Sequence, residues 1–256
     1  MIGKSLGTSF LAAALCVTAA PAQSTPQQPA ALALDPDEVA RLRVYHERIV
    51  ELAREMRGWG YLGDVMRPVL ALAETRARTQ DAAAENRAAL IALAVFVTGR
   101  HPAALAPEAR DWPRAPARRI ILRNRHDLAQ HFVVSAAIAA AAGEPLAHAI
   151  GLYKEIDDAR RGSGFSFADL AADRAGTRFG HLAARSADSA RALQAQVTSL
   201  GNGDLLMPAI ADLPEGIGER EFARRFGRRD TRAYLDLLAE IDRRIAALPV
   251  FQAAGG

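Results

Sequence analysis

Hydrophobic residues recur every three or four positions over most of this chain, which is the spacing of amphipathic α-helices. The first such segment follows Asp35, where Asp-Pro-Asp-Glu has the form of an N-cap, a proline at the first helical position and a glutamate three residues on. Its apolar positions continue to Gly58. Further helices are predicted over residues 64–78, over 82–99 behind an Asp81 cap, over 188–200 and after an Asp230 cap.

Three central helices are predicted in close succession in the middle of the sequence. The first covers residues 126–142 and stops at Gly143. The second starts near Glu144-Pro145 and runs to Arg161. The third begins at Ser166, with Asp169 three residues on as a variant of the capping box, and continues past Gly180.

The segments between the helices show little sign of a sheet. Residues 100–117 contain four prolines and are expected to form a long connection with no helix of its own, and residues 201–218 to form a Gly/Pro loop. Residues 118–123 look extended but have no obvious partner strand. We therefore predict an all-α fold, a single domain of about seven to eight helices over residues 35–250.

The N-terminal 22 residues have the pattern of a secretory signal peptide. Lys4 precedes an apolar stretch from Leu6 to Ala20 that is short for a membrane span, and residues 20–22 fit a cleavage site. Leu15 is not the small residue that lipid attachment at Cys16 would require, so no lipidation is expected. With 23–34 as a flexible leader, the pattern predicts a periplasmic or secreted protein without a transmembrane span after cleavage.

The net charge of the chain limits the classes of partner that are expected. The chain has 32 Lys and Arg against 29 Asp and Glu, and no basic cluster typical of nucleic-acid binding, so we expect no nucleic-acid partner. A component or protein of the cell envelope is the expected partner, and the oligomeric state is left open. After signal cleavage Lys154 is the only lysine. A lysine side chain carries a compact charge, and its pKa shifts readily when the side chain is buried. Lys154 is therefore a candidate partner for buried acids.

Each central helix carries ionisable residues on one face, because residues four apart in a helix lie on the same side. Asp127, His131 and Ser135 follow this spacing in the first helix, and Lys154, with Glu155 beside it, and Asp158 in the second. Asp169 and Asp173 share a stripe of the third helix with Gly176 and Gly180, where a neighbouring helix can approach closely. These patterns predict a polar centre between the three helices.

Four interpretations of this centre are open. A divalent metal such as Zn, Mn or Fe would be held by His131 with two or three of Glu155, Asp158, Asp169 and Asp173, although the Glu-x-x-His and His-Glu-x-x-His motifs are absent. A metal-free, hydrolase-like acid–base site would use His131, Asp127, Lys154 and Glu155. Asp127, His131 and Ser135 are the residue types of a catalytic triad, but one helix face does not normally give triad geometry.

The third interpretation is an anion site, built from Arg160, Arg161, Gly162, Gly164 and Ser166 at the start of the third helix. The fourth is a non-catalytic structural or interaction module, in which Lys154, Arg174 and Arg178 neutralise the acids in a buried salt-bridge network. Away from the centre, His46 is expected to be exposed on its helix, and Trp59 and Trp112 to be packing anchors.

The central segment resembles the YfiM-type predicted envelope lipoproteins of bacteria. The resemblance covers residues 126–180 and rests on an acid with His-Phe, a Gly-x-x-Lys-Glu-x-x-Asp helix and a Phe-Ser-x-x-Asp-x-x-x-Asp helix start. The matching residues are Asp127, His131, Phe132, Gly151, Lys154, Glu155, Asp158, Phe165 or Phe167, Ser166, Asp169 and Asp173. A looser likeness to VanZ-like membrane proteins involves only the acid and His-Phe. The resemblance implies an envelope location and a shared three-helix unit, and it supplies no reaction.

Overall fold

Nine helices account for most of residues 34–141, 164–197 and 205–252, which are the residues that the computed structural model describes. The prediction of an all-α fold is confirmed. The signal peptide, the leader and the second central helix fall outside the described residues. The helices are α1 Pro36–Glu55, α2 Leu62–Arg76, α3 Ala82–Val97, α4 His126–Ala141, α5 Phe167–Ala184, α6 Ala187–Val197, α7 Glu219–Phe226, α8 Arg232–Ala246 and α9 Pro249–Gln252.

Local capping sets the beginnings of α1 and α3, as predicted. The Asp35 carboxylate accepts the amide of Glu38 at 2.8 Å, and Glu38 accepts the amide of Asp35 in return. Asp81 accepts two amides of the first turn of α3. The Asp230 cap is wrong: α8 begins one residue later than that cap requires, behind Thr231, because the Asp230 carboxylate pairs with Arg228 at 2.9 Å.

A short parallel sheet gives the extended segment around residue 120 its partner. Strand β1, Trp59–Tyr61, pairs with strand β2, Arg119–Ile121. The sequence did not reveal this pair because each strand has only three residues and they lie far apart in the chain. Trp59 is 53% exposed at the start of β1, so its assignment as a packing anchor is wrong, whereas Trp112 is buried as predicted.

Helices α3 and α4 form the centre of the core. Their sequences are apolar on nearly all sides, which is typical of helices surrounded by protein. Helix α4 packs mainly against α5 and also against α3, while α3 contacts α1, α2, α5 and α6. No helix within the described ranges is long and apolar enough to cross a membrane.

The proline-rich connection packs on α1 and buries a histidine. It contains two short 3-10 turns, Pro102–Ala104 and Pro107–Asp111. His46 is only 4% exposed, and its Nε2 lies 2.6 Å from the carbonyl oxygen of Pro113. The expectation that His46 is exposed is therefore wrong. The periodicity of α1 could not reveal this, since the covering group comes from 67 residues further along the chain.

An aromatic cluster anchors the beginning of α5. The ring of Phe165 lies 4.9 Å from that of Phe167 and 4.8 Å from that of Phe222, measured between centroids. Phe226 and Tyr234 complete the cluster from α7 and α8. These contacts fix the first turn of α5, where Asp169 lies.

Candidate functional site

Helices α4 and α5 approach so closely that their backbones touch. A Cβ atom at Gly176 would overlap the carbonyl group of Phe132, and one at Gly180 would overlap that of Ala136. Only glycine is compatible with this separation. The contact fixes the orientation of α5, so the carboxylates on the same stripe face α4, as the glycine spacing predicted.

His131 lies between two carboxylates of α5. Its Nδ1 is 2.9 Å from Oδ1 of Asp173, and its Nε2 is 3.7 Å from Oδ2 of Asp169. Because an ionised carboxylate can only accept, Nδ1 is the donor to Asp173, and this fixes the orientation of the imidazole. The His131 side chain is 10% exposed, so it lies at the edge of the core with a small part of its surface open to solvent.

Ser135 joins the same carboxylate one turn further along α4. Its Oγ donates to Oδ1 of Asp173 at 2.8 Å, so Asp173 accepts from both the serine and the imidazole. In a catalytic triad the serine hydroxyl would donate to the imidazole instead. The residue types of a triad are therefore present without its connectivity.

Arg125 forms ion pairs with three carboxylates at the edge of this centre. Its guanidinium donates to Asp127 through Nε at 3.1 Å and through Nη2 at 2.5 Å. Nη2 also donates to Oδ1 of Asp169 at 3.3 Å. Nη1 donates to both carboxylate oxygens of Glu215, each at 2.6 Å. The hydrogen bonds to Asp127, followed by those to Glu215, raise the pKa of Arg125 above its ordinary value, against the opposing effect of burial. Arg125 is thus a permanent cation at this site.

Sequence reasoning missed Arg125 and Glu215. Arg125 follows a tight turn in which Arg123 and Asn124 have φ values of 49° and 61°, and it pairs with Leu122 across that turn. The Asn124-Arg125 pair just before α4 was the signal available in the sequence, because a turn there places the Arg125 side chain beside the start of the helix. Glu215 lies 90 residues away in a loop and gave no signal.

The structure brings together part of each predicted residue set. Of the predicted metal ligands, His131, Asp169 and Asp173 meet at the α4–α5 contact, and Glu155 and Asp158 lie outside the described residues. Within the described ranges no three His, Cys, Asp or Glu side chains are arranged to hold a metal ion. Of the acid–base set, Asp127 is bound by Arg125 beside His131, and Lys154 and Glu155 lie outside the described residues.

The described members of the predicted anion site have identifiable structural roles. Ser166 is the N-cap of α5, its Oγ accepting the amide of Asp169 at 3.1 Å. Gly164 has a φ of +77°, and a Cβ there would lie 2.9 Å from the backbone of Gly216. The other members, Arg160, Arg161 and Gly162, lie outside the described residues.

A second polar cluster, not predicted from sequence, lies between α1, α2 and α3. Glu85 is completely buried and accepts from the Tyr45 hydroxyl at 2.5 Å and from Arg76 Nε at 2.5 Å, with Arg41 Nε at 3.4 Å. Burial, followed by the hydrogen bond to Glu85, raises the pKa of Tyr45. The alanine-rich surroundings of Glu85 in the sequence gave no indication of these partners.

Comparison with known proteins finds no match: no family model, no curated protein and no solved structure is significantly similar to this chain.

Proposed function

We propose that this chain is an exported protein of the bacterial envelope and that its α4–α5 centre is a hydrolase-like acid–base site, with His131 as the proton-transferring group. The observation that carries the proposal is the imidazole held between two carboxylates at the edge of the core. The signal-like N-terminus and the YfiM-type resemblance support the envelope location.

The two ring nitrogens of His131 have different roles in this proposal. Nδ1 donates to Asp173, which keeps the ring in one orientation and stabilises the imidazolium that forms after proton uptake. In the neutral ring the lone pair is then on Nε2, the nitrogen that faces Asp169. Nε2 is therefore the atom that takes a proton from a water molecule or a substrate hydroxyl, and Ser135 supports Asp173 rather than acting as nucleophile.

One distance favours a second candidate, a divalent metal as part of the same site. Nε2 of His131 and Oδ2 of Asp169 are 3.7 Å apart. Two ligands with bonds of about 2.0–2.2 Å to one zinc ion are separated by roughly 3.4–3.7 Å at tetrahedral or wider angles. Asp173 on Nδ1 would then be the carboxylate that orients a metal-binding histidine.

A substrate screen with matched variants tests the acid–base proposal. Purified protein is assayed against chromogenic esters, phosphate esters and amides, before and after His131→Gln and Asp173→Asn. General acid–base catalysis contributes about 10²–10⁴-fold, so His131→Gln should lower kcat at least 100-fold. Asp188→Asn, which changes a fully exposed carboxylate on α6, is the control and should change kcat less than twofold.

Stability measured on the same variants separates a catalytic site from a structural module. In a catalytic site, His131→Gln and Asp173→Asn remove activity while the protein remains folded, because active-site groups are commonly not optimised for stability. In a non-catalytic network they cost about 3–5 kcal/mol each, with no turnover to lose. Calorimetric titration with Zn²⁺ and Mn²⁺ tests the metal candidate, which requires 1:1 binding that is lost in His131→Gln.

A further inference from the structure

A groove between α5 and α8 presents a row of basic side chains outside the His131 centre. The basic residues that line it are Arg174, Arg178, His181 and Arg185, which are spaced by four, three and four residues and so share one face of α5. Leu182 and Ile245 form its apolar floor. Its volume is about 630 Å³, within the range of small-molecule sites.

The positive charge of this groove is only partly neutralised. Its lining contains one carboxylate, Asp242, and Nε of Arg174 binds that carboxylate at 2.6 Å. Neither Arg178 nor Arg185 forms an ion pair in the part of the chain that the structure describes. Several exposed arginines of other helices pair with acids one turn away, as in Arg43–Glu47, Arg225–Glu221 and Arg232–Asp236.

Arg178 is held in place without being neutralised. Its guanidinium lies over the ring of Phe251, 5.4 Å from the centroid. A cation–π contact of this kind restrains the guanidinium and leaves its N–H groups available to a ligand. The helix dipole explains a cation at the C-terminal end of α5, such as Arg185, but it does not explain Arg178, which lies nearly two turns earlier.

The spacing and charge of the groove indicate the chemistry of its ligand. Arg178 and Arg185 are seven residues apart, about 10 Å along the helix axis. The exposed hydroxyl of Thr177 adds a neutral hydrogen-bonding group beside Arg178. A phosphate group carries up to two charges and several acceptor oxygens, which the guanidinium fork binds with two parallel hydrogen bonds. We propose that this groove binds an anion that carries at least two phosphate groups.

Calorimetric titration with sodium tripolyphosphate at 150 mM NaCl tests the proposal on the whole protein. We expect saturable 1:1 binding that weakens at least tenfold in the double variant Arg178→Gln/Arg185→Gln. The matched control is Arg220→Gln/Arg224→Gln on α7, which removes the same charge from exposed arginines outside the groove and should change Kd less than twofold. Thr177→Glu keeps every arginine, places a carboxylate in the groove and should also abolish binding.

Vesicles distinguish a free phosphate compound from a lipid headgroup. Sedimentation with vesicles that contain cardiolipin, a lipid with two phosphate groups, is compared with sedimentation with phosphatidylcholine vesicles for the same four proteins. If the protein binds tripolyphosphate and the groove variants lose this binding, the ligand is a free phosphate compound. If the protein binds only the vesicles and the groove variants lose that binding, the ligand is a lipid headgroup. Both results support the groove as the binding site. Absence of binding to both probes, or equal weakening in the α7 control, would overturn the proposal. Because these probes do not involve His131, the result is independent of the acid–base proposal.

Discussion

Glu85 shows how much a single buried charge depends on its partners. It has no exposed surface, yet two arginines and a tyrosine hydroxyl surround its carboxylate. Moving an unpaired carboxylate into a protein interior costs several kcal/mol, so the cluster is stable only while its members remain complementary. The partners come from α1 and α2 and Glu85 from α3, which makes Glu85 a point at which the three helices are held together.

Replacement of Glu85 by alanine should therefore be strongly destabilising. The change leaves Arg76 and Arg41 without their partner and opens space in the core, so we expect a loss of about 3–5 kcal/mol in the free energy of unfolding by urea. Glu47→Ala removes an exposed carboxylate that pairs with Arg43 and should cost about 0.5 kcal/mol or less. A loss below about 1 kcal/mol for Glu85→Ala would contradict the role assigned to the cluster.

His46 should make the stability of the protein sensitive to mild acid. Burial lowers the pKa of His46 below its ordinary value, and the nearby His101 ring, 5.7 Å away between centroids, acts in the same direction. The unfolded chain then binds a proton more readily than the folded one. The contribution of neutral His46 to the free energy of unfolding is complete above about pH 6.5 and is lost as the pH falls below this value.

Denaturation of wild-type protein and His46→Gln between pH 7.5 and 5 measures this effect. We expect the wild type to lose stability on acidification and the variant to show a flatter dependence, because glutamine has no proton to gain. At pH 7.5 the variant should be the less stable protein, since Nε2 of His46 contacts the Pro113 carbonyl. Equal pH slopes for the two proteins would exclude His46 as the sensitive group.

At the scale of elements, the α4–α5 contact determines the site. Two glycines permit the approach, and the carboxylates one and two turns before them are thereby placed against His131. Aromatic packing holds the N-terminal end of α5, and the glycine contact holds its middle. The geometry of the His131 centre is thus a consequence of helix packing and not of a flexible loop.

Widening this contact should damage both stability and the site. In Gly176→Ala the added methyl overlaps the Phe132 carbonyl, and overpacking costs about 1–3 kcal/mol, more than the gain of about 1 kcal/mol in helix propensity. Thr177→Ala, at the exposed neighbouring position of α5, is the control and should change stability by about 0.5 kcal/mol or less. Thermal unfolding compares the two, and an equally small effect at Gly176 would show that the helices separate without cost.

Charged side chains join α8 to the loop that precedes α7. Arg244 on α8 binds Asp212 through Nη1 at 2.8 Å and Nη2 at 2.6 Å, and its Nε binds Glu240 at 2.7 Å. The Arg244 guanidinium holds the pKa of the Asp212 carboxyl at about 2. These contacts fix the loop before α7 beside α8, and α8 in turn forms one wall of the basic groove.

At the scale of the whole molecule, the N-terminal pattern predicts processing. Cleavage after Ala22 would give a mature chain that starts at Gln23, without Cys16 and therefore without any cysteine. Expression in a bacterium with signal peptidase, followed by intact-mass analysis of the periplasmic fraction, should give this N-terminus without a lipid. Recovery of a chain acylated at Cys16 would overturn the prediction, whereas Ala20→Leu should impair cleavage.

The sequence by itself determined the features that depend on neighbours within one helix. The caps at Asp35 and Asp81 were predictable because a cap and its amides lie two or three residues apart. The close packing of the third central helix was also predictable, since Gly176 and Gly180 mark a backbone contact through their own spacing. The all-α fold follows from the same local periodicity.

Only the tertiary structure decided which distant groups meet. Glu215 joins Arg125 across 90 residues, and Pro113 covers His46 across 67. Three-residue strands pair although neither has a pattern of its own, because the core positions them. Periodicity specifies which face of a helix is apolar, but the identity of the group opposite that face depends on the path of the whole chain. The His131 centre and the basic groove both arise from that path.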